Sequence, residues 1–79
     1  MVIFMTIAQA AQLVLQDAGK AMHIDDIYAE ILRRELYTFR AKKPKSVLSN
    51  TIRGKSTANS KAVEPVFRLV ANNTYELVG

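Results

Sequence analysis

The apolar positions of this chain recur with a helical period in three stretches and alternate in two. Ile7, Ala10, Ala11, Val14 and Ala18 repeat at three- and four-residue spacing, and Leu13 and Leu15 broaden the face. Thr6 precedes this stripe and Gln9 lies three residues on, a pairing in which hydroxyl and amide satisfy each other's backbone N–H groups as a capping box. Gly19 supplies the left-handed stop. Ile24, Ile27, Tyr28, Ile31 and Leu32 form a second stripe, with Asp25 and Asp26 in its first turn and Arg33 and Arg34 in its last, each sign where the helix dipole favours it. The third stretch is defined by punctuation. Pro44 suits a first helical position and Gly54 the residue just past an end, which predicts a helix over Pro44 to Arg53, about 15 Å long. Within it Val47, Leu48, Thr51 and Ile52 fall on one side, and Ser46, Ser49, Asn50 and Arg53 on the other.

The run Lys55 to Lys61 is loop by composition. After it, Val66 to Val70 and Thr74 to Val78 alternate as two strands joined through Ala71-Asn72-Asn73, a hairpin. Phe67 with Leu69, and Tyr75 with Leu77, would cover the helices, leaving Arg68 and Glu76 on the opposite face. The expected fold class is therefore α+β: a winged helix-turn-helix, three helices followed by a C-terminal β-hairpin wing, with the third helix placed to enter a major groove. The 79 residues, 49% apolar, are expected to make one domain, residues 1–5 being an N-terminal extension of open role. The chain has no cysteine, so disulfides and cysteine-based zinc sites are excluded, and apolar packing has to hold the fold. Met1 to Met5 falls far short of the roughly 20 apolar residues of a membrane span, and the chain reads as soluble and intracellular.

Charge adds the functional signal. Arg40, Lys42, Lys43, Lys45, Arg53, Lys55 and Lys61 occupy one window that holds no Asp or Glu, while the residues before it carry −2 and those after it −1. Such a concentration of positive charge is what a polyanion-binding surface requires, since each neutralised phosphate releases condensed counterions. A merely solvated loop is the alternative. The arrangement favours binding, because the basic window starts just before the third helix, runs along its outward face and ends in the loop leading to the hairpin.

The residues Ala10-Ala11-Gln12-Leu13-Val14-Leu15, Ala18-Gly19-Lys20, Met22-His23-Ile24-Asp25-Asp26-Ile27, Pro44 opening a helix, and Phe67 with Tyr75-Glu76-Leu77 together resemble the HARE-HTH family. This is the winged-helix module shared by Asx-like chromatin proteins, certain homeobox proteins and restriction endonucleases, and it is similar to the amino-terminal domain of the bacterial RNA polymerase delta subunit. The resemblance covers nearly all of the chain from Thr6 onward. It implies a non-catalytic module that binds nucleic acid beside DNA-modifying or chromatin enzymes and reads DNA or its modification state. The delta-subunit likeness implies instead a polymerase-associated role. Family members often carry Pro where Ala21 stands and a capping Thr where Lys43 stands; Lys43 is a poor cap.

On this reading Arg40, Lys42, Lys43, Lys45, Lys55 and Lys61 serve phosphates, while Ser46, Ser49, Asn50 and Arg53 face the groove, Arg53 able to fork onto guanine and Asn50 onto adenine. Arg68, Asn72 and Asn73 in the wing reach backbone or minor groove. The expected partner is double-stranded DNA, with a fused or associated nuclease, methyltransferase or RNA polymerase in view, and the expected compartment is the nucleoid or the nucleus. The other open reading is a protein-interaction module docking on a polymerase or partner enzyme. No catalytic residue, metal or cofactor is expected. His23 is the lone histidine and suits a turn or cap, Asp25 and Asp26 are explained by the helix dipole, and Ser46 and Ser49 have no base at useful spacing. Tyr28 belongs to the apolar stripe, whereas Tyr37 and Phe39 are open between core and base stacking.

Overall fold

A computed structural model describes residues 5–59, 61 and 65–78. The extension expected over residues 1–5 falls largely on residues 1–4, outside the described residues. The element order is α1 (Ile7–Ala18), β1 (Met22–His23), α2 (Ile24–Arg33), α3 (Pro44–Gly54), β2 (Phe67–Ala71) and β3 (Thr74–Leu77). The α+β winged-helix expectation holds, with one element added.

The first helix starts as its sequence dictates. The Gln9 N–H donates to Thr6 Oγ1 at 3.1 Å and the Thr6 N–H to Gln9 Oε1 at 2.9 Å, closing the capping box. Gly19 sits at φ 65° and its N–H returns to the Leu15 carbonyl at 3.0 Å, a conformation that any Cβ would strain. α1 buries Ala10, Ala11, Val14 and Leu15, and each helix packs against the other two.

α2 is capped by His23, whose Nδ1 accepts the Asp25 N–H at 3.1 Å. Ile24, Ile27 and Ile31 are buried, but Leu32 is 46% exposed, contrary to its place in the stripe. Ile31 takes the centre of the contact face, and one residue further the helix has turned about 100°, past any covering element. The helix ends without glycine: Glu35 adopts φ 53°, its N–H donates to the Leu32 carbonyl at 3.1 Å, and the Leu36 N–H donates to the Ile31 carbonyl at 3.0 Å. That is a Schellman closure bearing a side chain, at a cost of about 1 kcal/mol. Leu36 then packs on the core, as do Tyr37 and Phe39. Tyr28 and Phe39 lie 5.3 Å apart at 53°, and Tyr37 and Phe39 5.0 Å apart at 66°, which assigns the two undecided aromatics to packing.

The sheet is three-stranded and antiparallel in the order β1-β3-β2. β1, absent from the expectation, pairs Met22 with Tyr75 and His23 with Thr74. In the hairpin Phe67 faces Leu77, Arg68 faces Glu76 and Leu69 faces Tyr75, after which an irregularity at Val70 brings Ala71 opposite Thr74. Ala71 therefore stays in the strand and the turn is only Asn72-Asn73, with Asn73 at φ 51°. Phe67 and Tyr75 are fully or almost fully buried, but Leu69 is 36% exposed, because it lies on the outer strand beyond the helices' cover.

Candidate nucleic-acid interface

α3 begins at Pro44, with Lys43 as a cap that makes no side-chain hydrogen bond; the Ser46 and Val47 N–H groups fall back on the Lys43 carbonyl at 3.1 and 3.2 Å. It runs through Gly54, one residue further than expected, and Gly54 is not in the left-handed region. Closure comes from short-range bonds, Lys55 N–H to Ile52 O at 3.1 Å and Ser56 N–H to Arg53 O at 3.2 Å, so no left-handed residue is needed. Leu48 and Ile52 are fully buried and anchor the helix in the core. Ser46, Asn50 and Arg53 are exposed on the other side; Ser49, expected with them, is half-buried at the boundary.

Arg40, Lys42, Lys43, Lys45, Arg53, Lys55 and Lys61 are all exposed. They are not equivalent. Lys45 shares a helical row with Ser49 and Ile52 that turns toward α2. There its Nζ lies 3.4 Å from Asp25 Oδ1 and 5.9 Å from the centre of the Tyr28 ring. Among the described residues no carboxylate stands within ion-pairing distance of the other six. The cations outside the window are largely engaged. Arg34 joins Asp17 at 2.6 Å and Glu30 at 2.9 Å, and Arg33 joins Glu30 at 2.8 Å. The Arg33 hydrogen bonds hold the Glu30 carboxyl down to about 2; partial desolvation opposes them, and the Arg34 bond and both guanidinium charges add to the lowering. Acidic and basic groups thus neutralise each other between α1 and α2, leaving unpaired positive charge at the two ends of α3, which spans about 16 Å.

The hairpin residues form a separate group. Arg68 donates to Glu76 across the strands at 3.1 Å, which neutralises much of its charge. Asn72 and Asn73 are exposed, but the Asn73 carbonyl accepts the Ile24 N–H at 2.8 Å, so the turn is tied to the start of α2 and the wing is short. Three residues without a place in the expected interface organise the end of α3. Ser56, Thr57 and Asn59 bond backbone groups of α3, of β2 and of their own segment, a habit of Ser, Thr and Asn that the composition of this loop already carried. Among the described residues no group of three or more His, Asp or Glu could hold a metal ion, and no helix is long and apolar enough to cross a membrane.

A family model described as HARE-HTH, a helix-turn-helix domain named for homeobox, ASXL and restriction-endonuclease proteins, matches residues 5–78. The chain belongs to the HARE-HTH family. The family is a DNA-binding helix-turn-helix domain, and DNA is thereby the partner class of this HARE-HTH chain. A search of curated proteins and a search of solved structures each found no significant match. In this HARE-HTH domain the helix-turn-helix pair is α2 and α3. Their connection is much longer than the three- or four-residue turn of the common motif. It is pinned to the core through Leu36, Tyr37 and Phe39, and it presents Arg40, Lys42 and Lys43 on the approach to α3.

Proposed function

We propose that this HARE-HTH domain binds double-stranded DNA with α3 in the major groove, as a non-catalytic DNA-reading part of a restriction, DNA-modifying or transcription assembly, acting in the nucleoid or the nucleus. The observation that carries the reading is the exposed Ser46, Asn50 and Arg53 face, bracketed by basic residues that have no carboxylate partner among the described residues. Arg40, Lys42 and Lys43 at one end and Lys55 and Lys61 at the other contact phosphates, and Lys45 joins them by leaving Asp25. Arg53 and Asn50 read base edges, with Ser46, and Ser49 at the margin, in small polar contacts. Arg68, Asn72 and Asn73 supply a weaker contact to the backbone. The test is a titration of a labelled duplex at several salt concentrations. Contact with about five phosphates gives a slope of log affinity against log salt near −4 to −5. No binding at about 100 µM in low salt, weaker than ordinary non-specific association, would overturn the reading in favour of docking on a polymerase or partner enzyme.

A further inference from the structure

The segment after α3 is bonded into place. Ser56 is fully buried; its Oγ donates to the Arg53 carbonyl at 2.8 Å and accepts the Ala58 N–H at 3.2 Å. The Thr57 N–H donates to the Phe67 carbonyl at 3.0 Å, and Thr57 Oγ1 accepts the Leu69 N–H at 3.2 Å, laying the segment along β2. Asn59 completes the arrangement. Its Nδ2 donates to the Gly54 carbonyl at 2.9 Å and its Oδ1 accepts the Lys61 N–H at 3.1 Å. One amide thus joins the last helical carbonyl of α3 to the backbone of Lys61. The same side chain closes a cleft of about 300 Å³ against Asn50, Arg53, Gly54 and Ala58.

We infer that Asn59 is a positioning residue for DNA binding: it holds Lys61 in fixed relation to Arg53, so that the lysine meets a phosphate while the arginine lies against a base edge. The inference rests on the DNA-binding reading above. Both polar atoms of Asn59 are turned inward to the chain, so its part is not a nucleic-acid contact. A lysine carried on an unheld loop must be ordered when DNA arrives, and that entropic cost is subtracted from affinity; a lysine already held by the amide avoids it. Loss of Asn59 therefore acts through Lys61, and the two substitutions are not additive.

The experiment is a double-substitution cycle on the full chain, with duplex affinity measured at several salt concentrations and melting followed by circular dichroism. Asn59→Ala weakens binding to every duplex by about five- to tenfold near 100 mM salt and lowers the salt slope by about one, as Lys61→Ala does. The double variant binds no more weakly than Lys61→Ala alone, and all three melt cooperatively above the assay temperature. Wild-type affinity in Asn59→Ala overturns the inference, as do full additivity with Lys61→Ala and an Asn59→Ala chain already unfolded at the assay temperature, which would make the residue a support of the fold. If the wild-type chain binds no duplex, the DNA reading falls and takes the inference with it; wild-type binding with an unaltered Asn59→Ala overturns the inference alone.

Discussion

Arg53→Ala separates a side chain that reads DNA from one that supports the fold. Arg53 is exposed and has no carboxylate partner among the described residues; its link to the structure is its backbone carbonyl, which accepts Ser56 Oγ at 2.8 Å and the Ser56 N–H at 3.2 Å. Alanine keeps that carbonyl and is an excellent helix former, so stability changes by less than about 0.5 kcal/mol. A lost two-pronged contact to guanine costs about 1 to 3 kcal/mol, or roughly 5- to 150-fold in affinity, on a duplex carrying that base and much less elsewhere. The assay is fluorescence anisotropy on duplexes selected from a randomised pool, repeated with single-base changes, beside Lys43→Ala and Lys61→Ala, which weaken all sequences alike and reduce the salt slope by about one each. Leu48→Ala is the control on the opposite face. Leu48 is fully buried, so its truncation costs about 2 to 5 kcal/mol and lowers the melting temperature by roughly 4 to 8 °C for each kcal/mol lost. An Arg53→Ala chain that keeps its DNA affinity but melts early would show that the wrong face of α3 has been taken as outward. If Arg53, Lys43 and Lys61 substitutions weaken all sequences equally, the domain reads shape and charge only.

Two further outcomes follow from ion pairs. Glu30 titrates at about 2 in the folded chain against an ordinary 4.5, so its ionised form is the one folding favours. Its contribution is complete above about pH 4.5 and disappears as pH falls toward 2. Urea unfolding of wild type and Glu30→Gln at stepped pH should show the wild-type advantage at neutral pH shrinking across that window; an advantage that grows with acid refutes the pairing. Asp25→Asn releases Lys45 from its 3.4 Å partner and removes a negative charge beside the start of α3. Because an exposed pair is worth about 0.2 to 1 kcal/mol, duplex affinity should rise by at most about fivefold and the salt slope steepen by up to one, and weaker binding in a titration would count against a phosphate role for Lys45.

What could be read along the chain was what the chain settles within a few residues. The Thr6 and Gln9 box, the left-handed Gly19, the Ile24, Ile27 and Ile31 stripe, the Pro44 start and the alternating hairpin each depend on neighbours one turn or one strand step away, and each stands in the structure. The basic window was equally legible, since charge is a property of composition.

Tertiary structure decided everything that needed a distant partner. Met22 and His23 carry no strand period of their own and become β1 because Thr74 and Tyr75 lie alongside them. Leu32 and Leu69 have the right spacing for the core and remain partly exposed, because no element extends over their side of the fold. Gly54 stays within its helix, while Glu35, with a side chain, takes the left-handed turn that the packing of Leu36 on the core demands. Lys45 looks like any other cation of the window until Asp25, twenty positions earlier, is brought to its ammonium, and Ser56 looks like loop until β2 and α3 close over it. Periodicity and capping are short-range and are written in order along the chain, whereas burial and charge pairing depend on which surfaces meet once it has folded.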